Sequence, residues 1–158
     1  MQSASNSMET TTNSLFLERV KRAAGLEDLY DARDVAEVVF RTMRDVMTTE
    51  ASDRVASELQ GKVMSTGDSG TAECELAQLW QDTNPVVRAL SRVRPPLEIK
   101  PETFVFRISQ EAGISRGIDP LEVTEAIFSA FKQELSPERI KEISDFMPGD
   151  IRQVWRRA

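Results

Sequence analysis

The sequence predicts an all-α protein: two tandem four-helix units related by pseudo-symmetry and joined by a connector helix into one compact helical bundle. Three observations predict it. Apolar residues recur at helical spacing along most of the chain. No run alternates with period two for long enough to make a strand. The chain also writes one pattern twice. Phe16-Leu17-Glu18-Arg19-Val20 leads to Ala24-Gly25-Leu26, and Phe104-Val105-Phe106-Arg107-Ile108 leads to Ala112-Gly113-Ile114, 88 positions later. Continued without a gap, that offset pairs Asp31 with Asp119, Glu37 with Glu125, Phe40 with Phe128 and Glu50 with Glu138.

Residues 1–13 are mostly Ser, Thr, Asn and Gln with one charge, Glu9, offer little apolar to bury beyond Met1 and Met8, and are expected to form a disordered tail. The first unit spans 14–80. Its first helix carries Phe16 and Val20 on one face and stops at Gly25, where an apolar Leu26 completes the Schellman signature. Gly113 with Ile114 repeats that stop. A second helix is expected after Asp31 and after Asp119. Asp119-Pro120-Leu121-Glu122 combines a carboxylate cap, a proline at the first helical position and a capping-box acid. A third helix follows Thr48, and its counterpart follows Ser136-Pro137-Glu138, with Gly61 and Pro148-Gly149 as the expected stops. The first unit then carries a loop by composition, Val63 to Gly70, with the insertion placed at about 64–71. The pattern resumes at a new offset of 75: Leu76-Ala77-Gln78-Leu79-Trp80 matches Ile151-Arg152-Gln153-Val154-Trp155. Residues 81–100 form the connector, a helix opened by Asn84-Pro85 and closed before Pro95-Pro96. The second unit, 101–158, opens on Pro101-Glu102 and ends in a basic tail.

The totals narrow the function. The chain has 158 residues, 40% apolar and 29% charged, with nothing approaching a membrane-spanning apolar run or a secretory signal. A single cysteine, Cys74, allows no intrachain disulfide. A cytoplasmic protein is the simplest expectation. The net charge of −6 argues against nucleic acid as partner. There is no histidine, which excludes every His-dependent triad and the commonest transition-metal ligand. Gly67-Asp68-Ser69-Gly70 superficially resembles a serine-protease nucleophile segment, but without histidine no triad can form. Glu73 and Glu75 beside Cys74 raise rather than lower a thiol pKa, so Cys74 reads as a small buried hydrophobe. No catalytic residue, metal ligand or cofactor is expected, and no enzyme.

Phe16 to Val20, the Ala-Gly-Leu stop, the acid-capped second helix and Met47-Thr48-Thr49-Glu50-Ala51-Ser52-Asp53 leading to Leu59 together resemble the bacterial family known as domain of unknown function 2267. The resemblance covers roughly Ser14 to Trp155. It implies tandem copies of a short helical unit, and brings no activity, cofactor or catalytic residue. Phe106, where the pattern usually has an acid, and the longer first-unit loop depart from it.

The repeated positions Phe16, Phe40, Phe104 and Phe128 read as core, and Trp80 and Trp155 as core lids or, on the sharper reading, exposed partner anchors. Arg19 and Arg107 stand where each could pair with its own unit's Glu37 or Glu125, or remain solvated. Residues 16–80 carry −5, residues 104–155 carry −3, and residues 81–103 carry +1. Against that acidic background Arg88, Arg92 and Arg94 in the connector and Arg152, Arg156 and Arg157 in the tail form basic groups. They are either a solvated face or a docking patch for an acidic partner, another copy of the chain being one such partner. The expected function is a small accessory or regulatory protein acting as a protein–protein interaction module. The alternative is a carrier or sensor of an apolar small molecule held between the two units, walled by Phe, Met and Trp.

Overall fold

Glycine with a positive φ marks where the first helix of each sequence copy ends. The computed structural model describes residues 15–66, 72–81 and 95–158, with side chains for all of these except 62–66 and 72–75. Helix α1, Leu15–Ala24, runs into Gly25 at φ +67, and α5, Pro101–Glu111, runs through Ala112 into Gly113 at φ +62. The left-handed turn lets the Leu26 N–H reach back to the Lys21 carbonyl (3.0 Å) and the Ile114 N–H to the Ser109 carbonyl (3.4 Å). These are the long Schellman bonds, and they satisfy carbonyls that the helix end leaves open.

Helix α2 is Leu29–Val46 and its counterpart α6 is Pro120–Lys132. The Asp119 carboxylate caps α6 by accepting from the Leu121 N–H at 2.9 Å. The expected start after Asp31 is corrected. Asp28 is the cap, accepting from the Asp31 N–H at 2.9 Å, so α2 begins three residues earlier. Pro120 sets the start of α6, whereas the first copy has no proline there and its helix extends back to the next capping acid.

Helix α3, Thr49–Thr66, is capped by Thr48 through the Ala51 N–H, and α7, Pro137–Phe146, by Ser136 through the Arg139 N–H. Gly61 does not stop α3. Its φ is not positive, and the cost of an interior glycine is only about 1 kcal/mol, which packing on the next helix offsets. Residues 63–66 are therefore helical rather than loop, and 67–71, with Gly67-Asp68-Ser69-Gly70, lie outside the described residues. Helices α4, Ala72–Trp80, and α8, Gly149–Arg157, carry the two Gln-apolar-Trp closures. The expected tail at 1–13 and the connector helix also lie outside the described residues.

The eight described helices form a compact all-α bundle with no strand among the described residues. Their packing is reciprocal. Helix α1 lies on α2 and also on α6; α5 lies on α6 and also on α2. Helices α2 and α6 meet directly, as do α3 and α7. The core is a chain of buried rings: Phe16 stacks on Phe40 (5.9 Å between centroids), Phe40 meets Phe131 (4.7 Å), and Phe131 stacks on Trp80 (5.3 Å). Phe131 also approaches Trp155, which takes Phe128 edge-on at 5.0 Å. Phe104 is fully buried.

Candidate functional site

Most of the described arginines hold helices together, which limits the positive charge left on the described surface. The expected Arg19–Glu37 and Arg107–Glu125 pairs do not form. Arg19 pairs with Glu134 at 3.3 Å and Arg107 with Asp45 at 2.8 Å. Each arginine thus crosses to the C-terminal end of the second helix of the other copy, Asp45 in the last turn of α2 and Glu134 two residues past the end of α6. The cause is the reciprocal packing, which points α1 at α6 and α5 at α2. Glu37 instead pairs with Arg33 on its own helix (3.4 Å), and Glu125 takes Arg157 from α8 (3.2 Å).

The two tryptophans are 1% and 0% exposed, which removes the anchor reading. Each indole N–H donates to a carbonyl of the third helix, Trp80 to Ser52 (3.1 Å) and Trp155 to Ile140 (2.9 Å), and those acceptors are again 88 positions apart. A cation closes each tryptophan from outside. Arg44 donates to the Trp80 carbonyl, and Lys132 donates to the Trp155 carbonyl at 2.8 Å. Both satisfy a carbonyl at a helix C-terminus and sit near the indole face, at 6.0 and 5.7 Å from its centroid. Burial of the Lys132 ammonium pushes its pKa below the ordinary lysine value.

The basic tail is largely occupied with structure. Arg152 donates to the carbonyls of Ser144 (2.9 Å) and Asp145 (3.1 Å), closing the end of α7. Arg157 forks onto both oxygens of Glu125. Arg156 is exposed. Arg88, Arg92 and Arg94 lie outside the described residues, as does the Cys74 side chain.

A different arginine group lines a cleft. Arg33, Glu37, Arg41 and Arg44, one stripe of α2, face Gln78 and Leu79 of α4 and the following Gln81 across a space of about 120 Å³. Of its arginines, Arg33 and Arg41 are exposed and Arg44 is half-buried. Sequence reasoning passed over these residues. The available signal was their spacing, 33, 37, 41 and 44, which keeps them on one helical face, and the 88-offset, which puts Leu121 and Ser129 opposite Arg33 and Arg41.

The model of the family described as uncharacterized conserved protein (DUF2267) matches residues 13–154. The chain belongs to this family. The match covers all eight described helices apart from the last three residues of α8, so the family unit is the whole bundle rather than one sequence copy. No curated protein matches the sequence. Family membership accordingly assigns no role to the α2–α4 cleft.

Proposed function

We propose that this member of the family is a non-enzymatic protein-interaction module, a small cytoplasmic accessory or regulatory protein that docks another protein on its surface. The observation that supports this reading is the contrast between interior and surface. Between the two sequence copies, where an apolar ligand would sit, Phe40, Phe131 and Trp80 are fully buried and in ring contact. The α2–α4 cleft, at about 120 Å³, is well below the ~300–1,000 Å³ of small-molecule sites and suits a protein side chain. Among the described residues no helix is long and apolar enough to cross a membrane.

The test is affinity purification of the full-length chain from its native cell, with mass spectrometry of co-purifying proteins and of extracted small molecules. A protein recovered in stoichiometric amount and lost on competition with untagged chain is the expected result. An apolar small molecule recovered at one per chain, with no protein partner, overturns the reading.

A further inference from the structure

We propose that the face between the two sequence copies is an interaction surface for a second copy of this chain. Two chains that fold side by side exchange halves, the first copy of each closing on the second copy of the other, and the α3–α7 seam confines the exchange to unlike copies. No other protein need dock for this to occur.

The geometry is that of a two-fold pair. Each principal helix contact has a counterpart with the copies exchanged: α1–α6 with α5–α2, α1–α2 with α5–α6, α1–α4 with α5–α8, α2–α4 with α6–α8, and α3–α4 with α7–α8. The α2–α6 and α3–α7 contacts are their own counterparts. In a two-fold interface a residue on the axis meets its own equivalent. Arg54 meets Glu142, 88 positions on, at 2.9 Å. The bundle is thus arranged as a dimer of copies carried on one chain and joined through the single stretch 82–94. A neighbouring chain offers the same surfaces, so exchange remakes the contacts between copies and loses only the advantage of a tethered partner.

Charges on the seam decide which copies pair. The crossed arginines do not, because a pair of first copies would set Arg19 on Asp45, and a pair of second copies Arg107 on Glu134. On the seam, Arg54 would face Arg54 in a pair of first copies, and Glu142 would face Glu142 in a pair of second copies. Glu58 accepts from the Ser136 N–H at 3.0 Å and lies 4.0 Å from the Arg139 guanidinium. A first copy has Thr48 and Ala51 at those two places, so Glu58 would have no cation to face there. A second copy has Phe146 in place of Glu58. The Arg139 and Glu142 side chains are only 11% and 21% exposed, so like charges meeting here are poorly screened. Unlike pairing satisfies the seam, and like pairing sets repulsion against itself.

The experiment uses two full-length chains, each with one copy disabled. Chain one carries Phe16→Asp with Val20→Asp, and chain two Phe104→Asp with Ile108→Asp, all four positions being buried core. The chains are unfolded in urea and refolded alone or mixed, with helicity read by circular dichroism and mass by light scattering. Alone, each is expected to stay unfolded, because the only intact copies it offers are alike. Mixed, they are expected to regain about half the wild-type helicity in a particle of two chains, since one bundle of intact copies forms per pair. Arg54→Glu in chain two, whose first copy enters that bundle, should weaken the pairing about fivefold. The same substitution in chain one, whose first copy stays outside it, should change the pairing by less than about twofold. A mixture that gains no helicity overturns the exchange. A folded particle from either chain alone, or equal effects of Arg54→Glu in the two chains, overturns the confinement to unlike copies.

Discussion

At the scale of single residues, three positions carry measurable consequences. Ser144 is buried on α7, and its hydroxyl is the one buried side-chain oxygen without a hydrogen-bond partner among the described residues. The first copy has Ala56 at that place. An orphaned buried hydroxyl costs about 1–3 kcal/mol, so Ser144→Ala should stabilise the protein by about 1 kcal/mol in urea unfolding. A loss of stability would show that the hydroxyl has a partner after all. Gly149 opens α8 at φ +39, and a Cβ built there meets the Pro101 Cγ at 2.9 Å. Gly25 has a positive φ but open space around it. Gly149→Ala should therefore cost more than Gly25→Ala, by about 1 kcal/mol beyond the shared backbone strain. Lys132 gives a pH signature. Its folded-state pKa lies below that of the unfolded chain because burial disfavours the ammonium. The unfolded state then binds the proton more tightly, so this residue costs stability at neutral pH and the cost is relieved as pH rises towards the ordinary lysine value. The unfolding free energy of the wild type, relative to Lys132→Met, should rise as the pH is raised towards 10.5; a flat difference would exclude the burial effect.

At the scale of helices, what the sequence made legible was whatever a helix decides locally. The stops at Gly25 and Gly113 and the caps at Thr48, Asp119 and Ser136 depend on residues within one turn, and each forms as the pattern requires. The errors fall where a neighbour decides. Gly61 is a stop by composition, but the packing of α3 on α4 carries the helix through it. Sequence distance is the only distance a sequence offers, and by it Arg19 and Arg107 match acids of their own copy. The bundle instead places each against the other copy. The cleft arginines stayed invisible for the same reason, since their shared face means nothing until α4 lies against α2. The crossed pairs also differ in setting. Arg107–Asp45 is shorter, with both side chains at most about a quarter exposed, whereas the Arg19 side chain is 39% exposed. Double-mutant cycles should give a coupling of about 1 kcal/mol for Arg107–Asp45 and a few tenths for Arg19–Glu134. Equal couplings would mean that burial does not set their strength.

At the scale of the molecule, the reciprocal packing bears on whether the two sequence copies can act as separate bodies. Helix α1 is shared between α2 and α6, and α5 between α6 and α2, so neither copy closes its core alone. The third helices are tied as well. Arg54 pairs with Glu142 at 2.9 Å, its own counterpart at the 88-offset, and Glu58 accepts from the Ser136 N–H at 3.0 Å beside the buried Arg139. Phe131 is the ring through which the two aromatic sets meet, touching Phe40 and Trp80 of one copy and Trp155 of its own. A unit of half this length would bury too little apolar surface to be stable by itself. The chain should therefore unfold as one cooperative body. Phe131→Ala should remove about 3–5 kcal/mol and leave both copies destabilised together. Trp80→Phe and Trp155→Phe each leave one indole, and so report the second and first copy respectively. In urea their fluorescence midpoints, each compared with the helicity midpoint of the same variant, should coincide, and the addition of Phe131→Ala should shift both by the same amount. Midpoints that separate, or a Phe131→Ala shift felt by one tryptophan only, would mean that the copies fold as independent units and that the shared helices contribute little to holding them together.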